Sequence, residues 1–308
     1  MKKVLFVIFL ILIPTKIFAD KQFEKDLRIL SKLSSFINKN GEPYKIKDNL
    51  KKDETIIIIY THGSKGNERI RDNCKRIWNK IPRVVYQLDG EKYKRFTIKT
   101  YQLCSGAKGW TQEQEDYFWD IYDKSGQDHK IVSSIKDKKG ELLFDKSSYA
   151  TKRRVIKNKV NEFRKLGFKN IILSGSSAGG WASLVLNSKF NEEIDGVIAF
   201  HPARSGKFAH TKNPDSDWVD WRNYKISEIN LNKLNKVLVF THDKDKYENA
   251  KTLSFLVNSK KTTHIDLTKS KCKGKIKYGG YHGIAKTKCF ADLDQKNQYI
   301  LNYIKEIY

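Results

Sequence analysis

Residues 171–180 read IILSGSSAGG, and the prediction of the fold depends on this stretch. It begins with the apolar β-formers of a buried strand and continues through small residues into a segment with helical spacing. Two serines, Ser176 and Ser177, lie at the junction. The pattern predicts a strand, a tight turn and a helix. It leaves two interpretations of the turn, a reactive serine or a glycine-rich connection.

The five residues from Gly175 to Gly179 form the pattern G-x-S-x-G, with Ser177 at its centre. A residue on a sharp strand-to-helix turn has a strained backbone, so the residues two before and two after it must be small. Its hydroxyl points up from the carboxyl edge of the sheet, beside a helix N-terminus that favours negative charge. In this context the pattern favours Ser177 as a nucleophile and makes Ser176 a small neighbour.

Strand-like and helix-like segments alternate along the chain. The predicted strands are TIIIIY at 55–60, two β-rich runs within 83–104 joined at Asp89-Gly90, and runs at 170–174, 194–200, 236–241 and 263–267. The predicted helices cover about 21–38, 68–80, 149–166, a stretch from 179 onward, and 298–307. Continuous β-branched runs are typical of parallel strands covered on both faces. We therefore expect a single α/β domain at 20–308, with a mostly parallel sheet and helices on both faces.

With Ser177 in this setting, the chain from about residue 50 to residue 308 resembles the α/β-hydrolase family. The resemblance implies a catalytic triad in the chain order Ser, acid, His. KVLVFTHDKDKY at 236–247 is similar to the family's strand, turn and acid, and the alignment of the turn favours Asp245. Asp243 remains the alternative, because the preceding histidine stands where the family often has glycine.

Two further motifs complete the resemblance. YGGYHGIA at 278–285 puts His282 in a glycine-flanked loop near the C-terminus, as the expected base. YTHGS at 60–64 is similar to the family's H-G motif, so the amide of Gly63 or Ser64, together with that of Ala178, is the expected oxyanion hole. The alternative is that the H-G pair is only a turn that ends a strand.

Other residues are weaker candidates. His201 ends a strand and Trp181 follows the turn, so both are candidates for contacting a substrate, with a structural turn and core packing as the alternatives. The segments 110–130 and 208–224 are candidates for a lid or a substrate-binding excursion. No His/Asp/Glu cluster has metal-ligand spacing and no phosphate-binding loop occurs in the sequence, so we expect no metal or cofactor.

The N-terminus predicts export. Lys2 and Lys3 precede the apolar run VLFVIFLILI at 4–13, and Ile17-Phe18-Ala19 resembles a cleavage site, which predicts a signal peptide at 1–19. The run is shorter than the roughly 20 residues of a membrane span, although an uncleaved anchor is the alternative. We expect a periplasmic or secreted protein with no membrane span after cleavage.

The four cysteines suit an oxidising compartment. The simplest pairing joins neighbours in sequence, Cys74 with Cys104 and Cys272 with Cys289. The second disulfide would close the loop that carries His282. None of the cysteines has the C-x-x-C spacing of zinc or redox sites.

The formal net charge is +25, which would favour anionic partners. The lysines are scattered along the chain, however, so we interpret them as a solvated surface and expect no specific nucleic-acid partner. The sequence predicts a serine hydrolase acting on a small-molecule or lipid-like carboxylic ester. The alternatives are a peptidase or thioesterase with the same triad, and a non-catalytic polyanion-binding protein on this fold.

Overall fold

The strands form one eight-stranded sheet in the described part of the chain. The computed structural model describes residues 36–37, 46, 49–63, 81–103, 148–274 and 280–308. The strands are β1 Phe36–Ile37, β2 Thr55–Thr61, β3 Lys92–Tyr93, β4 Phe96–Leu103, β5 Asn170–Ser176, β6 Gly196–Phe200, β7 Lys236–Thr241 and β8 Thr262–Asp266. The predicted signal peptide, the helix predicted at 68–80 and the segment 110–130 lie outside the described residues.

The sheet is mostly parallel, as predicted. Its order is β1-β4-β2-β5-β6-β7-β8, with β3 paired to β4 outside this path. Every pair from β4 to β8 is parallel, whereas β1 and β3 pair with β4 in the antiparallel direction.

The strand order reverses beside β2. The chain passes from β2 to β4 on one side and then returns to β5 on the other side. Where β2 pairs with β5, Thr61 at the end of β2 lies opposite Gly175 near the end of β5. In open parallel sheets, ligands bind in the crevice that such a reversal leaves at the carboxyl ends of the strands.

Helices cover both faces of the sheet. In the described ranges they are α1 Arg83–Tyr86, α2 Ser148–Lys165, α3 Ala178–Lys189, α4 Ser216–Ser227, α5 Ser254–Val257, α6 Lys288–Asn297 and α7 Tyr299–Ile307. None of these helices is long and apolar enough to cross a membrane.

Strand β2 accounts for the two hydrophobic layers. All seven of its residues are buried, because successive side chains point to opposite faces and both faces are covered. Ile57 and Ile59 belong to the layer that contains α2 and α3, and Ile56 and Ile58 belong to the layer that contains α1, α6 and α7. The expectation of helices on both faces is confirmed.

Two local predictions are wrong. The first β-rich run after residue 83 forms the short helix α1, which begins directly after Pro82; the fixed φ of proline, −62° here, suits the start of a helix. The helix predicted to about residue 38 does not include Phe36–Ile37, which form β1. This segment pairs with Gln102 and Leu103 of β4, so edge pairing outweighs the helical spacing.

Asp294 on α6 contacts α7, so a substitution of this residue tests how the two helices pack. Its buried carboxylate accepts a hydrogen bond from the Ile300 N–H at 3.1 Å. Burial raises its pKa to about 6 from the ordinary 3.8, because the ionised form loses hydration, and the Ile300 hydrogen bond opposes this only in part. The stabilisation by the protonated group is therefore fully present below about pH 4 and is lost as the pH rises through 6.

We predict that Asp294→Asn, which cannot ionise, is more stable than the wild type above about pH 6, by on the order of 1–3 kcal/mol. The difference should shrink toward pH 4. Denaturant titrations at about pH 4 and about pH 7.5 measure this. The exposed Asp292→Asn is the matched control and should change stability by less than about 0.5 kcal/mol. An Asp294→Asn effect of equal size at both pH values would contradict the prediction.

Candidate active site

Ser177 occupies the turn between β5 and α3. Its φ is 56° and its ψ is −127°, a positive-φ conformation that is rare for a residue with a side chain. Such a backbone costs about 1–3 kcal/mol and persists only where the surroundings hold it. Here the Ser177 N–H donates to the Phe200 carbonyl at 3.0 Å, and the Ser177 carbonyl accepts from the Trp181 N–H at 3.0 Å.

The two glycines of the pattern are required by packing. A Cβ on Gly175 would lie 2.4 Å from the carbonyl carbon of Gly179, and a Cβ on Gly179 would lie 2.2 Å from the carbonyl oxygen of Thr61. Both distances are far below van der Waals contact. The start of α3 therefore packs directly on β5 and on the end of β2, which accounts for the G-x-S-x-G spacing.

Gly63 lies against Ser177. A Cβ on Gly63 would be 2.9 Å from the Cβ of Ser177 and 3.4 Å from its Oγ, so the bare Cα approaches the hydroxyl closely. Ala178 is the first residue of α3, and the N–H groups of a first helical turn have no acceptor within the helix. Of the three predicted oxyanion residues, Gly63 and Ala178 thus lie beside the serine, and Ser64 lies outside the described residues.

Buried polar contacts hold the peptide that joins His62 to Gly63. His62 is fully buried, and its Nδ1 lies 2.6 Å from the Gly63 carbonyl oxygen. The buried ammonium of Lys152 on α2 donates to the His62 carbonyl at 3.0 Å. Burial, together with the smaller effect of the Lys286 charge, lowers the pKa of Lys152 to about 7. These contacts fix the orientation of the peptide that carries the Gly63 amide.

His282 and Asp245 meet at the same edge of the sheet. Asp245 follows β7, and His282 lies in the 3-10 segment Tyr281–Lys286. The Nδ1 of His282 is 2.8 Å from Oδ2 of Asp245. Asp243 is largely exposed instead, and its carboxylate lies 2.9 Å from Nδ1 of His242. Of the two alternatives, the structure brings Asp245 to His282.

The Asp245 carboxylate is buried but well supplied with donors. Burial raises its pKa, but the contacts with His201 and His282 outweigh this and hold the pKa well below the usual range. Its Oδ1 accepts the N–H of Tyr247 at 2.9 Å. The carboxylate is therefore ionised at neutral pH.

Tyr247 is a site residue that the sequence analysis missed. Its ring centroid lies 4.3 Å from that of His282, with 37° between the ring planes. The imidazole is thus held at Nδ1 by Asp245 and on one face by Tyr247. The signal available in the sequence was an aromatic residue two positions after the candidate acid.

A disulfide brackets the histidine. Cys272 and Cys289 are joined, as predicted, with a sequence separation of 17 residues that encloses His282. Closing this loop removes freedom from the unfolded chain and stabilises the fold by about 3 kcal/mol in the loop-entropy description. The predicted partners Cys74 and Cys104 lie outside the described residues.

The two candidates for substrate contact are placed differently from the prediction. Trp181 is fully buried and packs against Phe255, with ring centroids 6.1 Å apart, so it belongs to the core. His201 is also fully buried, and its Nδ1 is 3.2 Å from Oδ2 of Asp245. Neither side chain has an exposed surface for a substrate. For Trp181 the structure therefore agrees with the alternative interpretation, core packing.

The segment 208–224 lies on the same side as His282. It contains the 3-10 turn Phe208–His210 and most of α4, and the indole N–H of Trp218 donates to the Ser205 carbonyl at 2.9 Å. The Ala209 N–H donates to the carbonyl of Tyr247, whose ring stacks on His282. Its role as a substrate-binding excursion stays a prediction. Within the described ranges, no group of three or more His, Cys, Asp or Glu side chains is arranged to hold a metal ion.

Three features identify the architecture. The strand order of the parallel sheet reverses beside β2, a strained serine lies between β5 and α3, and an Asp–His pair follows β7. The chain has the α/β-hydrolase fold. This confirms the fold class expected from the sequence. The strand-to-helix turn at Ser177 is the elbow of this fold.

Comparison with known proteins finds similarity only among solved structures. No family model and no curated protein matches the sequence. Similar solved structures include a hyperthermophilic esterase from Pyrobaculum calidifontis, with 14% identity over 82% of this chain and 84% of that one and a TM-score of 0.39. A monoacylglycerol lipase from Paleococcus ferrophilus has 14% identity over 82% and 96% of the chains and a TM-score of 0.45.

A structure of the metagenome-derived lipolytic enzymes LipS and LipT has 10% identity over 83% of this chain and 95% of that one, with a TM-score of 0.45. These similarities are weak. The fold is therefore identified from the strand order and elbow of this chain, and its chemistry is inferred from its own side chains.

The pairing of His282 with Asp245 predicts a spectroscopic signature. A short hydrogen bond from an imidazole N–H to an ionised carboxylate moves the proton resonance far downfield. In protein labelled with ¹⁵N-histidine, we expect such a resonance on Nδ1 of His282. It should persist in Asp243→Asn, the matched control, and leave the far-downfield region in Asp245→Asn. The opposite behaviour of the two variants would show that Asp243 is the partner.

Proposed function

We propose that this chain is a serine hydrolase that cleaves carboxylic esters through an acyl-enzyme. The observation that carries the proposal is the 2.8 Å contact between His282 and a buried, ionised Asp245, at the sheet edge where Ser177 forms the elbow. An exposed serine alone is a weak nucleophile, and an adjacent imidazole oriented by a carboxylate is what activates it.

In the acylation step, Oγ of Ser177 attacks the ester carbonyl carbon while Nε2 of His282 takes the hydroxyl proton. Asp245 keeps the other ring proton on Nδ1 and stabilises the imidazolium that forms. The carbonyl π electrons move onto oxygen, and the amides of Gly63 and Ala178 donate to this oxyanion. When the carbonyl re-forms, the alkoxide leaves with the proton from His282.

Deacylation repeats the sequence with water. His282 takes a proton from the water as its oxygen attacks the acyl carbon, and the second oxyanion is held by the same amides. Collapse of this intermediate returns the proton from His282 to Oγ of Ser177 and releases the acid. Every proton and electron pair in this cycle is supplied by the substrate, water and the three side chains.

We also propose that the protein is exported to the periplasm or the medium. The apolar run at 4–13 and the small residue before position 20 support a cleaved signal peptide. The Cys272–Cys289 disulfide supports an oxidising compartment, since such bonds are rare where thiols are kept reduced. The proposed substrate is a small-molecule or lipid-like ester outside the cytoplasm.

The adjacent serines give a matched pair of variants. We predict that Ser177→Ala lowers kcat/KM for a nitrophenyl ester by about 10⁴-fold or more, because it removes the nucleophile. Ser176→Ala should stay within about tenfold of the wild type, since its side chain is buried beside the elbow and takes no part in the chemistry. Steady-state kinetics measure both, and thermal unfolding checks that each variant is folded.

Hydrolysis at the parent rate by Ser177→Ala would contradict the proposal. Turnover of amide or thioester substrates in place of oxygen esters would retain the triad and replace the substrate class. Binding of polyanions with no turnover of any acyl substrate would favour the non-catalytic alternative.

A further inference from the structure

One carboxylate oxygen in this site faces two imidazoles. Oδ2 of Asp245 is 2.8 Å from Nδ1 of His282 and 3.2 Å from Nδ1 of His201. The two rings meet edge to face, with centroids 6.1 Å apart. The catalytic cycle described above uses only one of these histidines, so the second needs an explanation of its own.

His201 is delivered to this position by a strained backbone. It follows β6 directly and has a positive φ of 48°, as Ser177 has a positive φ of 56° after β5. Its N–H donates to the carbonyl of Phe240 on β7 at 3.0 Å, while the preceding Phe200 carbonyl accepts the N–H of Ser177. The strained ends of two neighbouring strands are thus linked, and the second one turns its ring toward Asp245.

The protonation of His201 follows from its neighbours. Burial lowers its pKa and the contact with Asp245 opposes this, with a net lowering, so the ring is neutral at neutral pH. A bare lone pair on Nδ1 would repel the carboxylate oxygen, so the single ring proton belongs on Nδ1. The N–H is not aligned for a full hydrogen bond, and Nε2 has no hydrogen-bond partner among the described residues.

We propose that His201 is a positioning residue of the triad, which shares the Asp245 carboxylate with His282, keeps that carboxylate turned toward the sheet edge and draws part of its negative charge away from His282. The proposal rests on the proposed hydrolase function. Two unequal contacts on one oxygen, 2.8 and 3.2 Å, mean that His282 holds the stronger one. The catalytic base is thereby oriented without receiving the full field of the carboxylate.

The groups that face His282 and His201 determine how a substitution of His201 would change the charge acting on His282. His282 is faced by Asp245, His201 and the ring of Tyr247. His201 is faced by Asp245 and His282, and a charge on His201 would in turn lower the pKa of His242. Without His201, the whole charge of Asp245 acts on His282 and stabilises its imidazolium. Since only the neutral imidazole can accept the Ser177 proton, the acid limb of the rate profile then moves to a higher pH.

The experiment compares His201→Phe, which keeps a buried ring but has no N–H, with His201→Asn, which retains a donor near the position of Nδ1. The acid limb of the kcat/KM profile should move up by about half to one pH unit in His201→Phe, with kcat reduced about tenfold and KM little changed. His201→Asn should restore the acid limb to near the wild-type position. A merely structural residue would lower stability and rate without moving this limb.

A folded His201→Phe with the wild-type pH profile would overturn the proposal. If that variant does not fold, a spectroscopic measurement on the wild-type protein tests the proposal instead. In ¹⁵N-histidine spectra, His201 should be the neutral Nδ1–H tautomer throughout the titration of His282, and an Nε2–H tautomer would overturn the proposal. This readout does not depend on turnover, so loss of the hydrolase function in the Ser177 test and failure of the His201 assignment are separate outcomes.

Discussion

The structure depends on a steric constraint at the end of β5. The chain turns from strand to helix at Ser177 only because positions 175 and 179 carry no side chain, and a Cβ at Gly179 would overlap the Thr61 carbonyl at 2.2 Å. This close packing joins the end of β2, the end of β5 and the start of α3 in one rigid unit. Gly63 follows β2 immediately, so the same constraint brings its backbone to within contact of the serine hydroxyl.

The second constraint is electrostatic. A carboxylate with no exposed side-chain surface would be neutral unless donors compensate for its lost hydration. Asp245 has three donor groups, which are hydrogen-bonded ones on Tyr247 and His282 and a less well aligned one on His201. These donors come from the turn after β7, the loop near the C-terminus and the end of β6. The parallel sheet is what collects them, because the carboxyl ends of its strands lie at one edge. The Cys272–Cys289 disulfide restrains the loop that supplies His282.

Much of this arrangement could be predicted from local sequence. The continuous β-branched runs gave the buried parallel strands, and the small residues around Ser177 gave the elbow, because both signals depend on neighbours within a few positions. What depends on distant contacts was harder. The short helix after Pro82 has the composition of a strand, and the choice between Asp243 and Asp245 depends on which of two nearby carboxylates turns inward. The full burial of His201 beside Asp245 and the stacking of Tyr247 are tertiary facts that no local pattern contains.

Covalent trapping can show whether Ser177 is a nucleophile that His282 activates. The protein is treated with a fluorophosphonate, and the adduct is counted by intact mass and located by peptide mapping. We predict one adduct per chain, on Ser177 and not on the adjacent Ser176. Labelling should be abolished in His282→Ala. An unlabelled wild-type protein, or an adduct on any other residue, would contradict it.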